Sequence, residues 1–182
     1  MLKLKYITGR GGDTVGGLSA YLATLSPDFE ALAVNPSFLA QSFPEQVLAV
    51  RRFCSGDSSH VIANSYGAYL LLQSLIDQPP LRAQVMLLSP VLGRVNNEKR
   101  MLISRPPGEK ALKSAILEHR LGLPEHLEIL TGSDDEICAA SLAEETAHTL
   151  GVKVCVLENE GHMIKPSKVM SAVQAFLPPQ RA

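Results

Sequence analysis

Apolar positions in this chain fall into short continuous runs that alternate with stretches of helical spacing. The run Leu4–Thr8 (LKYIT) ends in glycine, and Val15–Leu25 then places Leu18, Leu22 and Leu25 on one helical face. Phe29–Asn35 reads as a second strand, and Pro44–Cys54 as a helix with proline in its first turn. His60–Ser65 (HVIANS) runs directly into the apolar helix YGAYLLLQSLI, and Ala83–Pro90 (AQVMLLSP) is an unbroken apolar strand of the kind buried on both faces. Leu127–Ser133, a helix near ASLAEETAHTLG, the strand VKVCVLEN and a helix over Pro166–Phe176 complete the pattern. Six strands separated by helices predict a mostly parallel sheet covered on both faces. Right-handed crossovers make this an α/β fold, a three-layer α/β/α sandwich with strand order 2-1-3-4-5-6.

The length, 182 residues, suits one domain over residues 1–182. Residues 91–126 form a short polar insertion rich in Arg, Lys, Pro and Gly, expected to be solvated helix and loops. It carries Arg94, Lys99, Arg100, Arg105, Lys110, Lys113 and Arg120, and could serve as a flap favouring acidic substrates.

Composition narrows the function. Apolar residues make up 46% and charged residues 19%, with a net charge of −1. No global field therefore favours nucleic acid or an anionic membrane, and the absence of Trp weakens a base-stacking role. Cys54, Cys138 and Cys155 are odd in number and widely spaced, which argues against a disulfide framework or a zinc site. They are expected to pack as small hydrophobes. MLKLKYITG is too short in its apolar part for a signal peptide, and no run reaches the length of a membrane span. The expectation is a cytoplasmic protein that binds neither membrane nor nucleic acid.

The chemistry centres on ANSYGA (63–68), where a serine lies between an apolar strand and an apolar helix, with small residues at Ala63 and Gly67. A nucleophile there occupies a strained turn that bulk at either flank would disrupt. The next candidates are Asp134 and Asp135 after the fifth strand (TGSDDEI) and His162 after the sixth (ENEGHMI). In a parallel sheet the carboxyl ends of the strands lie along one edge, so the three can meet. Serine needs a base to take its proton, and a carboxylate holds the imidazole in the right tautomer. His60, His119, His126 and His148 read as surface or packing residues without metal-ligand spacing; His119 and His126 fall in the polar insertion.

These motifs resemble the α/β-hydrolases over nearly the whole chain, from Leu2 to Phe176. ANSYGA is similar to their G-x-S-x-G nucleophile elbow with Ala63 for the first glycine, the order Ser, Asp, His is theirs, and EGHM is the strongest single motif. The family pattern G-x-x-D-x-x-apolar places the acid at Asp135 and leaves Asp134 as a turn or cap residue. The early segment TGRGG, part of a stretch (ITGRGGDTVGG) with five glycines, resembles the family's H-G-x-G-G with Thr8 in place of histidine. The resemblance then implies that the backbone N–H groups of Arg10 and Tyr66 face the oxyanion. Relative to the family sheet, the chain starts at the third strand and has no large cap before the acid, which implies an open site. A nucleotide site would need G-x-G-x-x-G followed by an acidic residue ending the second strand. Here Thr14 replaces the third glycine, and Asn35 stands at the strand end.

The resemblance implies a small cap-less serine hydrolase that cleaves a small carboxylic ester or thioester through an acyl-Ser65 intermediate. Ser65 is its nucleophile, His162 its base and Asp135 its orienting acid, with no cofactor and no metal. Two alternatives differ in kind. One is a catalytically weak member acting through protein interaction, using Tyr66, Tyr69 and the basic insertion around Arg100 and Arg105. The other is a peptide or amide hydrolase.

Overall fold

The computed structural model of the chain describes residues 2–56, 59–93, 95–97 and 102–178. Its strands are β1 (Lys3–Ile7), β2 (Asp28–Leu32), β3 (Ser59–Asn64), β4 (Ala83–Leu88), β5 (Val95–Asn97), β6 (Leu102–Ser104), β7 (His126–Gly132) and β8 (Lys153–Leu157). The helices are α1 (Gly17–Leu25), α2 (Pro36–Leu39), α3 (Phe43–Cys54), α4 (Tyr66–Ser74), α5 (Glu109–Leu117), α6 (Ala140–Leu150) and α7 (Pro166–Phe176). Six strands form one parallel sheet in the order β2-β1-β3-β4-β7-β8, the predicted order once β7 and β8 count as fifth and sixth.

The sheet buries both faces because its central strands carry apolar residues at successive positions. On one face Ile7, Val61, Ala63, Val85, Leu87 and Ile129 pack against α3, α4, α5 and α6. On the other, Leu4, Tyr6, Ile62, Met86 and Leu88 meet Leu22 of α1 and Val173 and Phe176 of α7. The largely apolar α4 is buried along its whole length, Tyr69, Gln73 and Ser74 included. Lys5 is a buried cation on the first face. Its ammonium donates to the carbonyls of Phe53 and, at 3.4 Å, Ser55, where α3 ends and its dipole is negative.

Several expectations change. The second strand stops at Leu32, and Asn35 instead caps α2 by accepting from Phe38 N–H at 3.0 Å. A proline at the next position cannot extend a ladder but suits a helix start. The insertion contains the antiparallel pair β5–β6, which its short polar sequence did not announce. It also contains α5, whose Leu112, Ala115 and Ile116 are buried in the core, so this helix is half-sunk rather than wholly solvated. His126 opens β7 rather than lying in the insertion, and it flanks the Phe176 ring together with His60. His119 and His148 are exposed. Arg94, Lys99 and Arg100 lie outside the described residues, and Arg105 is exposed. Cys54 and Cys138 are buried, with thiols pushed up to about 12 and about 11 by desolvation, whereas Cys155 is exposed rather than packed. Cys155 sits on β8, which ends the sheet and has the alternating exposure of an edge. Among the described residues, no helix is long and apolar enough to cross a membrane.

The approach of α4 to β1 fixes the functional edge. A Cβ on Gly67 would lie 2.3 Å from the Thr8 carbonyl oxygen and 2.8 Å from the Ile7 side chain, so only glycine lets the helix start this close. Gly67→Ala is expected to destabilise the protein by about 1–3 kcal/mol, lowering Tm by roughly 2–4 °C per kcal/mol. Gly16→Ala, whose nearest neighbour would be 3.5 Å away, should shift Tm far less in the same thermal melts.

Candidate active site

Ser65 sits between β3 and α4 with φ 51° and ψ −116°, a conformation that costs a non-glycine residue about 1–3 kcal/mol. Three backbone bonds hold it there. Ser65 N–H donates to the Leu88 carbonyl at 2.9 Å, and the Ser65 carbonyl accepts from Tyr69 and Val91, each at 3.2 Å. Ala63, fully buried, and Gly67 keep the flanks small.

Asp135 follows β7 in a turn that its own carboxylate stabilises: Oδ1 accepts from Ile137 N–H at 2.8 Å and Cys138 N–H at 2.9 Å. Thr131 Oγ1 stands 3.4 Å from Oδ2, and the carboxylate is fully buried. Asp134 points away. It is exposed, and its Oδ1 accepts from Ser133 Oγ at 3.2 Å.

His162 lies in the loop between β8 and α7. Its Nδ1 is 3.0 Å from both oxygens of Asp135, and its Nε2 is 2.9 Å from Ser65 Oγ. The buried carboxylate calls for a proton on Nδ1, which leaves Nε2 with a free lone pair facing the Ser65 hydroxyl. The fold thus joins Ser65, His162 and Asp135 in one hydrogen-bonded chain.

Residues to which the sequence pattern gave no part in placing the base hold the His162 loop. Glu136 Oε2 accepts the His162 backbone N–H at 3.1 Å, Asp134 N–H donates to the Glu160 carbonyl at 2.9 Å, and Asn159 N–H donates to Ser133 Oγ at 3.0 Å. Gly132 permits this approach, since a Cβ there would lie 2.1 Å from the Glu160 carbonyl oxygen. Glu160 itself is 2% exposed. Its Oε2 accepts from Lys165 N–H at 2.9 Å at the start of α7, and its Oε1 lies 2.8 Å from Lys168 Nζ. The latter is an ion pair rather than an aligned hydrogen bond. The available signal was proximity alone: Glu136 adjoins the acid, and Glu160 precedes the base by two positions.

The glycine-rich segment closes the remaining side. Gly9 comes so near the elbow that a Cβ on it would be 3.3 Å from Ser65 Cβ. Thr8 Oγ1 accepts from Val34 N–H at 2.8 Å, and Gly11, at φ 77°, donates to the Val34 carbonyl at 2.8 Å. Thr8 therefore ties this loop to the end of β2. The Arg10 guanidinium lies 5.0 Å from the centre of the Tyr66 ring, which places the two residues side by side. Tyr66 N–H is the first amide of α4 and has no acceptor within the helix. Among the described residues, no group of three or more His, Cys, Asp or Glu side chains could hold a metal ion.

The model of the serine hydrolase family matches residues 40–171, so the chain belongs to that family. Its fold is that of the α/β-hydrolases. It is similar to the structure of the ydeN gene product from B. subtilis (14% identity, TM-score 0.64, 97% of this chain and 98% of that one). It is also similar to a structure from a study of carboxylesterases of the thaumarchaeon Nitrososphaera gargenis (15% identity, TM-score 0.64, covering 96% and 89%). A third similar structure is a yden-like hydrolase from Pectobacterium atrosepticum (16% identity, TM-score 0.60, covering 97% and 93%). A search of curated proteins finds no match to the sequence.

The Glu160 contacts generate a pH dependence. Lys168 and the Lys165 backbone hold its carboxyl down to about 2, below its ordinary value of 4.5. The folded value lies below the unfolded one, so the stabilisation is complete above 4.5 and is lost as pH falls from there towards 2. Denaturant unfolding followed between pH 6 and pH 2 should show a steep loss of stability in that window for wild type. Glu160→Gln should flatten that part of the curve and lower stability at neutral pH.

Proposed function

We propose that this serine hydrolase cleaves small carboxylic esters or thioesters through an acyl-serine intermediate, with Ser65 as nucleophile, His162 as base and then acid, and Asp135 as orienting carboxylate. The observation that carries the reading is the continuous contact from Ser65 Oγ to His162 Nε2 at 2.9 Å and from Nδ1 to Asp135 at 3.0 Å. In the first half-reaction Oγ bonds to the acyl carbon as its proton passes to Nε2, forming a tetrahedral oxyanion. The C–O or C–S bond then breaks, and the imidazolium returns that proton to the leaving group. Water next gives a proton to Nε2 and adds to the acyl carbon, and the Ser65 ester bond breaks with reprotonation of Oγ. Asp135 stabilises the imidazolium at each stage, and its two backbone hydrogen bonds keep it from turning away.

The oxyanion is assigned to the backbone N–H groups of Arg10 and Tyr66. The contact between their side chains and the close packing of Gly9 on Ser65 support this. Each such donor is worth roughly 3 kcal/mol when removed. We further place the reaction in the cytoplasm, since the three cysteines are free.

Covalent labelling with a fluorophosphonate tests the assignment. Wild type should be modified at Ser65, as mapped by peptide mass spectrometry, and Ser65→Ala should not be modified. Asp135→Asn should slow turnover of an activated ester by about 10⁴-fold, because the imidazole adopts the wrong tautomer. Modification elsewhere, or full turnover by Ser65→Ala, would refute the assignment.

A further inference from the structure

Two adjacent carboxylates leave the turn after β7 in different directions. Asp135 turns inward, onto the amides of Ile137 and Cys138 and onto His162 Nδ1 at 3.0 Å. Glu136 is exposed, and its Oε2 accepts the backbone N–H of His162 at 3.1 Å. One turn therefore grips the histidine at two points, the ring and the main chain. The second point matters because little else holds this stretch. Among the described residues, no other hydrogen bond reaches the backbone of residues 161–164. Met163, the next side chain, is 84% exposed and adds little packing. Gly161 bears on the same contact. A Cβ there would lie 3.1 Å from Glu136 Oε2, so the carboxylate would have to give way by a few tenths of an ångström.

The geometry points to Glu136 as a positioning residue for the base, a role that rests on the hydrolase reading above. Its hydrogen bond fixes the main chain of His162, so that the imidazole keeps its place between Asp135 and Ser65 as its charge changes. With only its ring held, the imidazole could swing about the Nδ1 contact and carry Nε2 away from Ser65 Oγ. In each half-reaction Nε2 takes a proton from one atom and gives it to another, so a small displacement is felt twice per turnover. A misplacement of about 1 Å can cost on the order of 10²-fold in rate. Folding has far less at stake. Glu136 is exposed, so water can replace it at the His162 amide and leave no buried donor unpaired.

Turnover of p-nitrophenyl butyrate, the rate of fluorophosphonate labelling and Tm, measured for wild type, Glu136→Ala, Glu136→Asp and Glu136→Gln, test this role. The alanine variant lacks the acceptor, and the aspartate variant keeps the charge on a side chain one methylene shorter. Each should lower kcat about tenfold and slow labelling in proportion, with KM and Tm little changed. Glu136→Gln keeps the acceptor without the charge and should restore kcat to within about threefold of wild type. Gly161→Ala should slow the wild type but not Glu136→Ala, the non-additivity expected of two changes to one contact. If the alanine variant does not fold, the contrast between the aspartate and glutamine variants decides. Unchanged kcat in Glu136→Ala, a loss that Glu136→Gln does not restore, or a loss explained by a lowered Tm would overturn the role. Failure of folded wild type to label strikes the hydrolase reading itself and takes the role of Glu136 with it.

Discussion

The backbone of Ser65, held at a positive φ between β3 and α4, is the constraint on which the site depends. A serine gains nothing locally from that conformation, so its neighbours must impose it. Ser65 N–H reaches the next strand at Leu88, its carbonyl anchors both α4 and the chain leaving β4, and Gly67 lets α4 start against β1. The sheet thereby offsets the strain through packing that it makes anyway, and the hydroxyl is presented at the carboxyl edge rather than turned into the helix. Ala63 contributes by being small, which is why alanine stands in for the glycine of the family elbow without cost to the geometry.

The second constraint is a seam between two loops. The turn after β7 carries Asp135, and the loop after β8 carries His162. Three contacts tie them: Asp134 N–H to Glu160, Ser133 Oγ to Asn159, and Glu136 to His162 N–H. The imidazole is thus positioned by backbone pairing as well as by the carboxylate it meets. Glu160 and its two lysines fasten the same loop to the first turn of α7. The loop that carries His162 is therefore held on both sides, by the turn after β7 and by the start of α7.

Much of this was legible in the chain because parallel strands buried on both faces need unbroken apolar runs, and such runs are hard to mistake. HVIANS followed by YGAYLLLQ announced both β3 and α4, and the order Ser65, Asp135, His162 put three side chains at one edge, where they meet. The resemblance to the family pattern pointed to Asp135 over Asp134, and in the structure it is Asp135 that lies beside His162 and accepts from the amides two and three residues on. What escaped the sequence were features set by partners distant in the chain. The seam residues Glu136 and Glu160 look like ordinary surface acids, the β5–β6 pair has no apolar alternation, and Cys155 becomes exposed only because β8 is an edge strand. Asn35 misled for a local reason: it continues an apolar run, yet the following proline makes it a helix cap.

In the proposed mechanism Ser65 carries the acyl group during turnover. Rapid mixing with a p-nitrophenyl ester, acid quenching within the first turnover and peptide mass spectrometry would test it most directly. A burst of nitrophenol approaching one equivalent per chain and an acyl mass increment on the peptide containing Ser65 are expected, both absent in Ser65→Ala. Steady turnover with no acylated peptide, or an acyl group found on another residue, would contradict it.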